Sequence, residues 1–450
     1  MKRRDFVKTT TAGIGLATIL NDPASVSATP VNNRVNLAVI GCGSRSDWLV
    51  RDLINRKEDD VRFLYAVDAQ QSRAENRAKQ ASREDTPTKA IRDAQVVWDD
   101  KNVDGVVLAT PDHWHALHTI QACQAGKDVY VEKPIARSPF EGEQMVKAAR
   151  KWNRIVQVGT QTRSAAYCFE AKKFIEEGNL GEIEYCRIHN MWPQRGPDSI
   201  PQAPIPADLD WDRWLGPALY REFSPLYMQW LQWEWFWGLG TGILGVQGIH
   251  QIDMARWMLG VQYPQSVYAA GKLNAPAGGR ETPESLAATF DFGKFVVSLE
   301  QTTGKPYMLE TDFYVRENDL FPYWYQNATR VEIYGTRFLM VIGRLGAGWQ
   351  VFDRTKNRLP VEKKGMYGRY PHVPHLNNFV DCIRSREEPN APIEEGHCST
   401  MMVHYANMSW RLGQIKLEID QKTGHIMNCP ETASLWKPEF RPEYDIPTVE

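Results

Sequence analysis

Residues 104–137 read DGVVLATPDHWHALHTIQACQAGKDVYVEKPIAR. Two valine-rich apolar runs, Gly105–Ala109 and Asp128–Val131, flank a helix-length segment that opens after Pro111 and stops at Gly126. Short apolar runs without alternation suit strands buried on both faces, and a helix between two of them predicts a crossover in a parallel sheet. The glycine at the helix end fits a left-handed C-terminal stop. Polar residues follow each strand: Thr110-Pro111-Asp112-His113 after the first and Glu132-Lys133-Pro134 after the second. Ligands of open parallel sheets gather at the carboxyl ends of the strands, so chemistry is expected here, with Lys133 as its leading candidate. The alternative is a lysine that caps a strand at the surface.

Upstream, the apolar run Val35–Ile40 leads into Gly41-Cys42-Gly43-Ser44-Arg45-Ser46 and a helix expected over Asp47–Asn55. Such a G-x-G-x-x-small turn lets a dinucleotide pyrophosphate approach the backbone and meet the positive end of the helix. Ser46 stands where a third glycine is usual. The next strand, Phe63–Val67, ends in Asp68, whose carboxylate can accept both ribose hydroxyls of an adenosine and repels a 2′-phosphate. NAD is therefore expected over NADP, with Arg73 nearby as the contrary feature.

The chain has 450 residues, 42% of them hydrophobic, and a formal net charge of −2. That suits a globular protein of two or three domains and offers no electrostatic case for nucleic acid or an anionic membrane. Seven cysteines without metal-ligand spacing argue against a disulfide framework or a metal site. Residues 1–28 read as a targeting segment: Arg3-Arg4-Asp5-Phe6-Val7-Lys8, a weakly apolar run Thr9–Leu20, and a small-residue site at Val26-Ser27-Ala28. The run is shorter than the ~20 residues that span a bilayer. The paired arginines resemble a twin-arginine export signal, which carries folded protein outward; a basic disordered tail is the alternative.

Past the strand Ile155–Val158 and Gly159-Thr160-Gln161, the pattern changes. Strand-like runs at 183–192, 266–272, 286–292, 295–302, 330–334, 338–342 and 349–352 are joined by short turns, Gly293-Lys294 and Gly335-Thr336 among them. Consecutive strands on short turns predict a second domain with an antiparallel sheet. An insert over Asp210–Trp237 holds six of the sixteen tryptophans, for core packing or as a sugar-stacking platform. The glycine-rich run 238–245 then introduces a helix over Gln247–Leu259, where His250 and Asp253 share a side. His372 and His375 open another helix that ends near Arg384, and a further one runs from about Glu394 to Gly413. Residues 420–450 read as an extended tail over the surface or a partner subunit.

The Gly41–Ser46 turn, the Asp68-tipped strand, ATPDHWHA and VYVEKPIA together resemble the Gfo/Idh/MocA oxidoreductases over residues 33 to about 415. The resemblance implies an NAD-binding Rossmann domain (33–158), an α+β substrate and oligomerisation domain with a large open sheet (159–415), and a tail (416–450). It implies cofactor contacts from Gly41, Gly43, Ser44, Arg45, Asp68, Thr110, Pro111, His113, His115, Glu132, Lys133 and Gln161. Lys133 would be the catalytic acid/base with His250 in support; Gln161, Arg163, Gln247, Asp253 and His372 are substrate candidates, and no metal is expected. A lysine beside a cationic ring in a dry pocket should lose basicity and so be able to take a hydroxyl proton as the carbon gives up hydride. One departure stands out. Inositol-dehydrogenase-like members carry an aspartate four residues before this histidine, and here Val246 occupies that position. The expected protein is an exported, homodimeric or homotetrameric NAD-dependent oxidoreductase of a carbohydrate or polyol, holding its cofactor tightly. Two other classes stay open: a glycosidase or lyase using NAD transiently, and a non-catalytic sugar or dinucleotide sensor.

Overall fold

The computed structural model describes residues 34–304, 308–353 and 361–450; residues 1–28, read above as a targeting segment, lie outside them. Strands β1 (Val35–Ile40), β2 (Val61–Val67), β3 (Lys89–Ile91), β4 (Gly105–Leu108), β5 (Asp128–Val131) and β6 (Val156–Val158) form a parallel sheet of order β3-β2-β1-β4-β5-β6. Every residue of β4 and β5 is buried, as runs covered on both faces require. On one face Val106 and Leu108 meet Ile120 of the crossover helix Asp112–Gln124. On the other, Val39, Val107 and Tyr130 meet Leu376, Phe379 and Val380 of the helix His372–Ser385. That helix comes from the far end of the chain, and burying one such side chain stabilises the fold by about 1.5–3 kcal/mol. The strand order reverses between β1 and β4, which opens a crevice at their carboxyl ends.

The second sheet contains β7 (Ile183–Met191), β8 (Ser266–Lys272), β9 (Ser285–Asp291), β10 (Val296–Thr302), β11 (Arg330–Gly335), β12 (Phe338–Gly343), β13 (Trp349–Asp353), β14 (Val361–Met366) and β15 (Leu417–Glu418), in the order β14-β13-β12-β11-β7-β10-β9-β8-β15. All pairs are antiparallel except central β7 with β10, so the sheet is mixed and mostly antiparallel. Gly293 turns the β9–β10 hairpin with φ +80, a conformation glycine adopts without steric cost. The helices Ile249–Leu259 and Ile393–Arg411 cover one face, with Ile252, Met254, Met402 and Val403 against Ile188, Phe290 and Leu299. Three strands escaped the sequence reading for want of pattern: β3 has three residues, β15 two, and β14 reads VEKKGM.

The insert folds on its own aromatics. Trp211 stacks on Trp214 at 4.7 Å between ring centroids, and Trp235 and Phe236 are fully buried. The tail lies on the Rossmann helices of its own chain: Ile446 and Val449 are buried, and the Val449 amide donates to Gln144 Oε1 at 2.8 Å. The seven cysteines are buried and unpaired.

Candidate active site

A cavity of about 750 Å³ opens at the carboxyl ends of β1, β2, β4 and β5 and runs from Asp68 to Lys133 and His250. At the Asp68 end the backbone does most of the shaping. Gly41 has φ +87, and a Cβ there would lie 2.6 Å from the Thr110 nitrogen, so only glycine lets the turn approach β4 this closely. A Cβ on Gly43 would meet nothing within 4 Å, leaving open space above the start of helix Ser44–Ile54. Ser46 is fully buried and its hydroxyl donates to the Gly43 carbonyl at 2.7 Å, so a small side chain is needed there. Asp68 accepts from the Cys42 amide at 2.7 Å and the Gln70 amide at 2.8 Å. Burial raises its pKa, against the pull of those amides and of Arg73 and Arg77.

The other end is made of side chains. Lys133 Nζ donates to the Val246 carbonyl at 3.0 Å across the cavity, which excludes a surface cap. Burial lowers its pKa, while Glu132, Glu234 and Asp112 draw it back and Arg344 adds to the lowering. Glu132 accepts from Arg45 Nε at 2.7 Å; burial would raise its pKa, but Arg45 and Lys133 outweigh that and keep it below the usual carboxylate value. A Cβ on Gly159 would lie 2.9 Å from this carboxyl, so the glycine gives it room. Gln161 donates to the Tyr130 hydroxyl at 3.3 Å and accepts from the Tyr370 hydroxyl at 3.2 Å. Burial, then Arg344 and Lys133, push the pKa of His250 well down. Val246 and Gln247 belong to a single π-helical turn, Leu244–Gly248, that feeds helix Ile249–Leu259. Insertions of this kind often re-aim residues at functional sites. Arg344 donates to Gln247 Oε1.

The residues fit a dinucleotide. The open side of Gly43 meets a helix N-terminus, Asp68 ends β2, and the Thr110 hydroxyl is buried in the cavity wall without a partner. Pro111 and His115 also line the cavity, but the His115 ring is committed, bridging the Pro134 carbonyl (2.8 Å) and the Thr110 carbonyl (3.0 Å). As a neutral ring it donates to one of these carbonyls, and it ties the end of β4 to the segment after β5.

Four expected site residues, and His375 with them, stand outside the cavity lining. His113 is fixed under the insert by the carbonyls of Trp214 (2.9 Å) and Leu239 (3.3 Å), because its place in the first helical turn aims it away from the crevice. Arg163 and Asp253 pair with each other at 2.8 Å, both buried, and bind Glu395 and Ser399 of the last long helix. His250 and Asp253 share a side of their helix only loosely, so one reaches the cavity and the other this network. His372 bonds Asp52 at 2.7 Å. His375 is held by the Ser164 hydroxyl at 2.7 Å and the Val158 carbonyl at 2.9 Å.

Sequence models of one family match most of the chain: "Oxidoreductase family, NAD-binding Rossmann fold" over residues 35–160 and "GFO/IDH/MocA C-terminal domain" over residues 169–339. The chain belongs to the GFO/IDH/MocA oxidoreductase family. Its first domain is the family's NAD-binding Rossmann fold. Levoglucosan dehydrogenase of Pseudarthrobacter phenanthrenivorans is 30% identical over 41% of the chain and 40% of its own length. Myo-inositol 2-dehydrogenase of Thermotoga maritima is 22% identical over 79% of the chain and 91% of its own length. The match spans only 40–54% of the length of three of the curated relatives, this levoglucosan dehydrogenase among them. Among solved structures, levoglucosan dehydrogenase with NADH and levoglucosan superposes with TM-score 0.62 at 20% identity, covering 86% of this chain and 100% of that one. The WlbA dehydrogenase of Bordetella pertussis with NADH and UDP-GlcNAcA gives 0.62 at 19%, over 86% and 99%. At these identities the likeness is one of fold.

Within this GFO/IDH/MocA member, several cavity residues escaped the sequence reading. Asp112, Glu234, Arg344 and Tyr370 line it, together with Tyr227 to Trp230 of the insert. Glu234 had one legible signal, a lone acid inside the aromatic run WLQWEWFW. Arg344 and Tyr370 had none, since each follows a strand far from any motif. Among the described residues no group of His, Cys, Asp and Glu is arranged to hold a metal, and no helix is long and apolar enough to cross a membrane.

Proposed function

We propose that the protein transfers hydride between its nicotinamide cofactor and a carbohydrate or polyol, with Lys133 as the acid/base. The observation that carries this reading is the lysine itself, desolvated, aimed across the cavity at the Val246 carbonyl, and set at the end of β5 beside Glu132. Bound NAD supplies the hydride acceptor. The chain's residues do the rest. Lys133, in its amine form, takes the proton of the substrate hydroxyl, and His250 across the cavity can hold that hydroxyl by a hydrogen bond. Glu132, locked by Arg45, keeps its charge and its place. Asp68 holds the adenosine ribose and favours NAD over NADP. The relatives named for sugars and inositols support the substrate class.

Export and a tightly held cofactor belong to the same proposal. The Arg3-Arg4 segment supports export of folded protein, and an exported enzyme without a pool of free NAD must regenerate its cofactor in place. Assembly as a homodimer or homotetramer is part of it too: in β9, Ala287 and Thr289 are exposed while Leu286, Ala288 and Phe290 are buried, so one sheet face is open to a second copy. The decisive test is Lys133→Ala assayed over a sugar panel with cofactor binding measured separately. Turnover should fall by roughly 10²–10⁴ with binding retained.

A further inference from the structure

Three carboxyls act on Lys133: Glu132, Glu234 and Asp112. Glu132 is committed to Arg45. The other two meet at Thr241, whose hydroxyl donates to Asp112 Oδ2 at 3.3 Å and whose backbone amide supports the Glu234 carboxyl. The glycine-rich run exists to make this approach fit. A Cβ at Gly240 would lie 2.6 Å from Glu234 Oε2, and one at Gly245 only 1.8 Å from the Thr241 hydroxyl. Glu234 is 2% exposed, lines the cavity, and its Oε2 has no hydrogen-bond partner. A buried carboxyl oxygen left unpartnered in the wall of a cavity that also holds an amine is an uncommon and costly arrangement.

The charges around the pair agree with the geometry. Burial pushes Glu234 up to about 8, with Lys133 pulling it down. Burial and then Glu234 raise Asp112 well above the carboxylate range, while Lys133 opposes them and Glu141 adds to them. Burial moves Lys133 the other way, so its proton affinity and that of Glu234 approach each other.

We propose that Glu234, delivered by the aromatic insert and set beside Asp112 by Thr241, is the second proton carrier of the site and exchanges the substrate's hydroxyl proton with Lys133. It performs the service that Val246 cannot. The proposal rests on Lys133 being the acid/base. In the oxidising direction the substrate O–H bond breaks and an N–H bond forms on Lys133, while bound oxidised NAD would take up the hydride that the carbon gives up. The new ammonium then gives up its proton to solvent in the shared cavity, restoring the neutral amine, and the Glu234 carboxylate takes one up from that solvent, forming a carboxylic O–H. Reduction runs the same transfers backward.

Glu234→Gln keeps the shape and removes the exchangeable proton; Glu234→Asp keeps the carboxyl. The first readout needs no cofactor. Lys133 in the protein without added NAD is labelled with an amine-reactive reagent across a pH series and quantified by peptide mass spectrometry. In Glu234→Gln the labelling midpoint should fall by about one pH unit, because the anion that favours the ammonium is gone. With a turned-over sugar, Glu234→Gln should lose roughly 10²-fold in kcat with KM little changed, lose the ionisation near 8 from its pH profile, and be partly rescued by Glu234→Asp. A labelling midpoint that stays put overturns the proposal. So does a Glu234→Gln enzyme with wild-type kcat and pH profile when Lys133→Ala is dead. Turnover surviving in Lys133→Ala overturns the reading of the lysine and this proposal with it.

Discussion

The two ends of the cavity are built differently. At the Asp68 end, the shape comes from backbone: a glycine at φ +87, an open glycine, a helix start and a strand-end carboxylate, all within residues 41–68. At the Lys133 end, it comes from side chains and carbonyls that the chain brings from 112, 133, 234, 246, 250, 344 and 370. Backbone contacts fix where a ligand lies, whereas the remote assembly sets proton affinities. A change at the first end should therefore appear in binding and a change at the second in rate. The largest expected effect tests that split directly: Lys133→Ala should cost ~10²–10⁴ in kcat and leave NAD affinity within a small factor. A Lys133→Ala protein that has lost NAD binding instead would erase the distinction between the ends.

The buried pair Arg163–Asp253 lies outside both ends and sharpens the contrast. Asp253→Ala leaves the Arg163 guanidinium buried without its main partner, which typically costs about 3–5 kcal/mol. Thermal melting should show that loss, while kcat/KM of the folded protein stays near wild type. A selective loss of one sugar over another, at unchanged melting temperature, would return Asp253 to the substrate.

What was legible in the sequence follows the same division. The parallel sheet could be read because β1, β2, β4 and β5 are continuous apolar runs, and the dinucleotide turn because its glycines sit within a few residues of each other. The resemblance placed Lys133, Glu132, Gln161 and His250, and all four line the cavity. Helix spacing misled where one helix serves two sites: His250 faces the cavity while Asp253, three residues on, faces Arg163. His113 failed similarly, since a residue after a strand end reads as cargo although its first-turn position directs it into the insert. Glu234 and Arg344 were out of reach because their meaning comes from packing across about a hundred residues of sequence.

A smaller effect belongs to the backbone end. Asp68→Ala removes a carboxylate whose oxygens accept the Cys42 and Gln70 amides and face the cavity. NAD affinity should fall by about 1–3 kcal/mol and the preference over NADP should narrow, with kcat at saturating cofactor little changed. Isothermal titration with both dinucleotides measures it. A native preference for NADP would show that Arg73, Arg77 and Arg92, which line the same end, outweigh the carboxylate.

The smallest effect concerns the segment that touches both ends. Arg73 donates to the Met228 carbonyl at 2.8 Å at the Asp68 end, and six residues later Glu234 lines the Lys133 end. Residues 228–234 thus run along the cavity, and Leu231 adopts φ 58, a conformation unfavourable for a bulky side chain. A strained strap that persists does so because its neighbours hold it. If it retains the cofactor, weakening it should speed release without touching Asp68 or Lys133. Trp230 is the place to test this, because it lines the cavity yet is 59% exposed, so its loss removes cover and little core. Trp230→Ala should raise the NAD off-rate by roughly fivefold, the equivalent of about 1 kcal/mol of lost apolar contact. Protein purified without added cofactor should then carry less bound nucleotide than wild type, at equal kcat once NAD is supplied. Equal retention in both proteins would mean that the strap merely borders the cavity, and that tight holding rests on the backbone cradle alone.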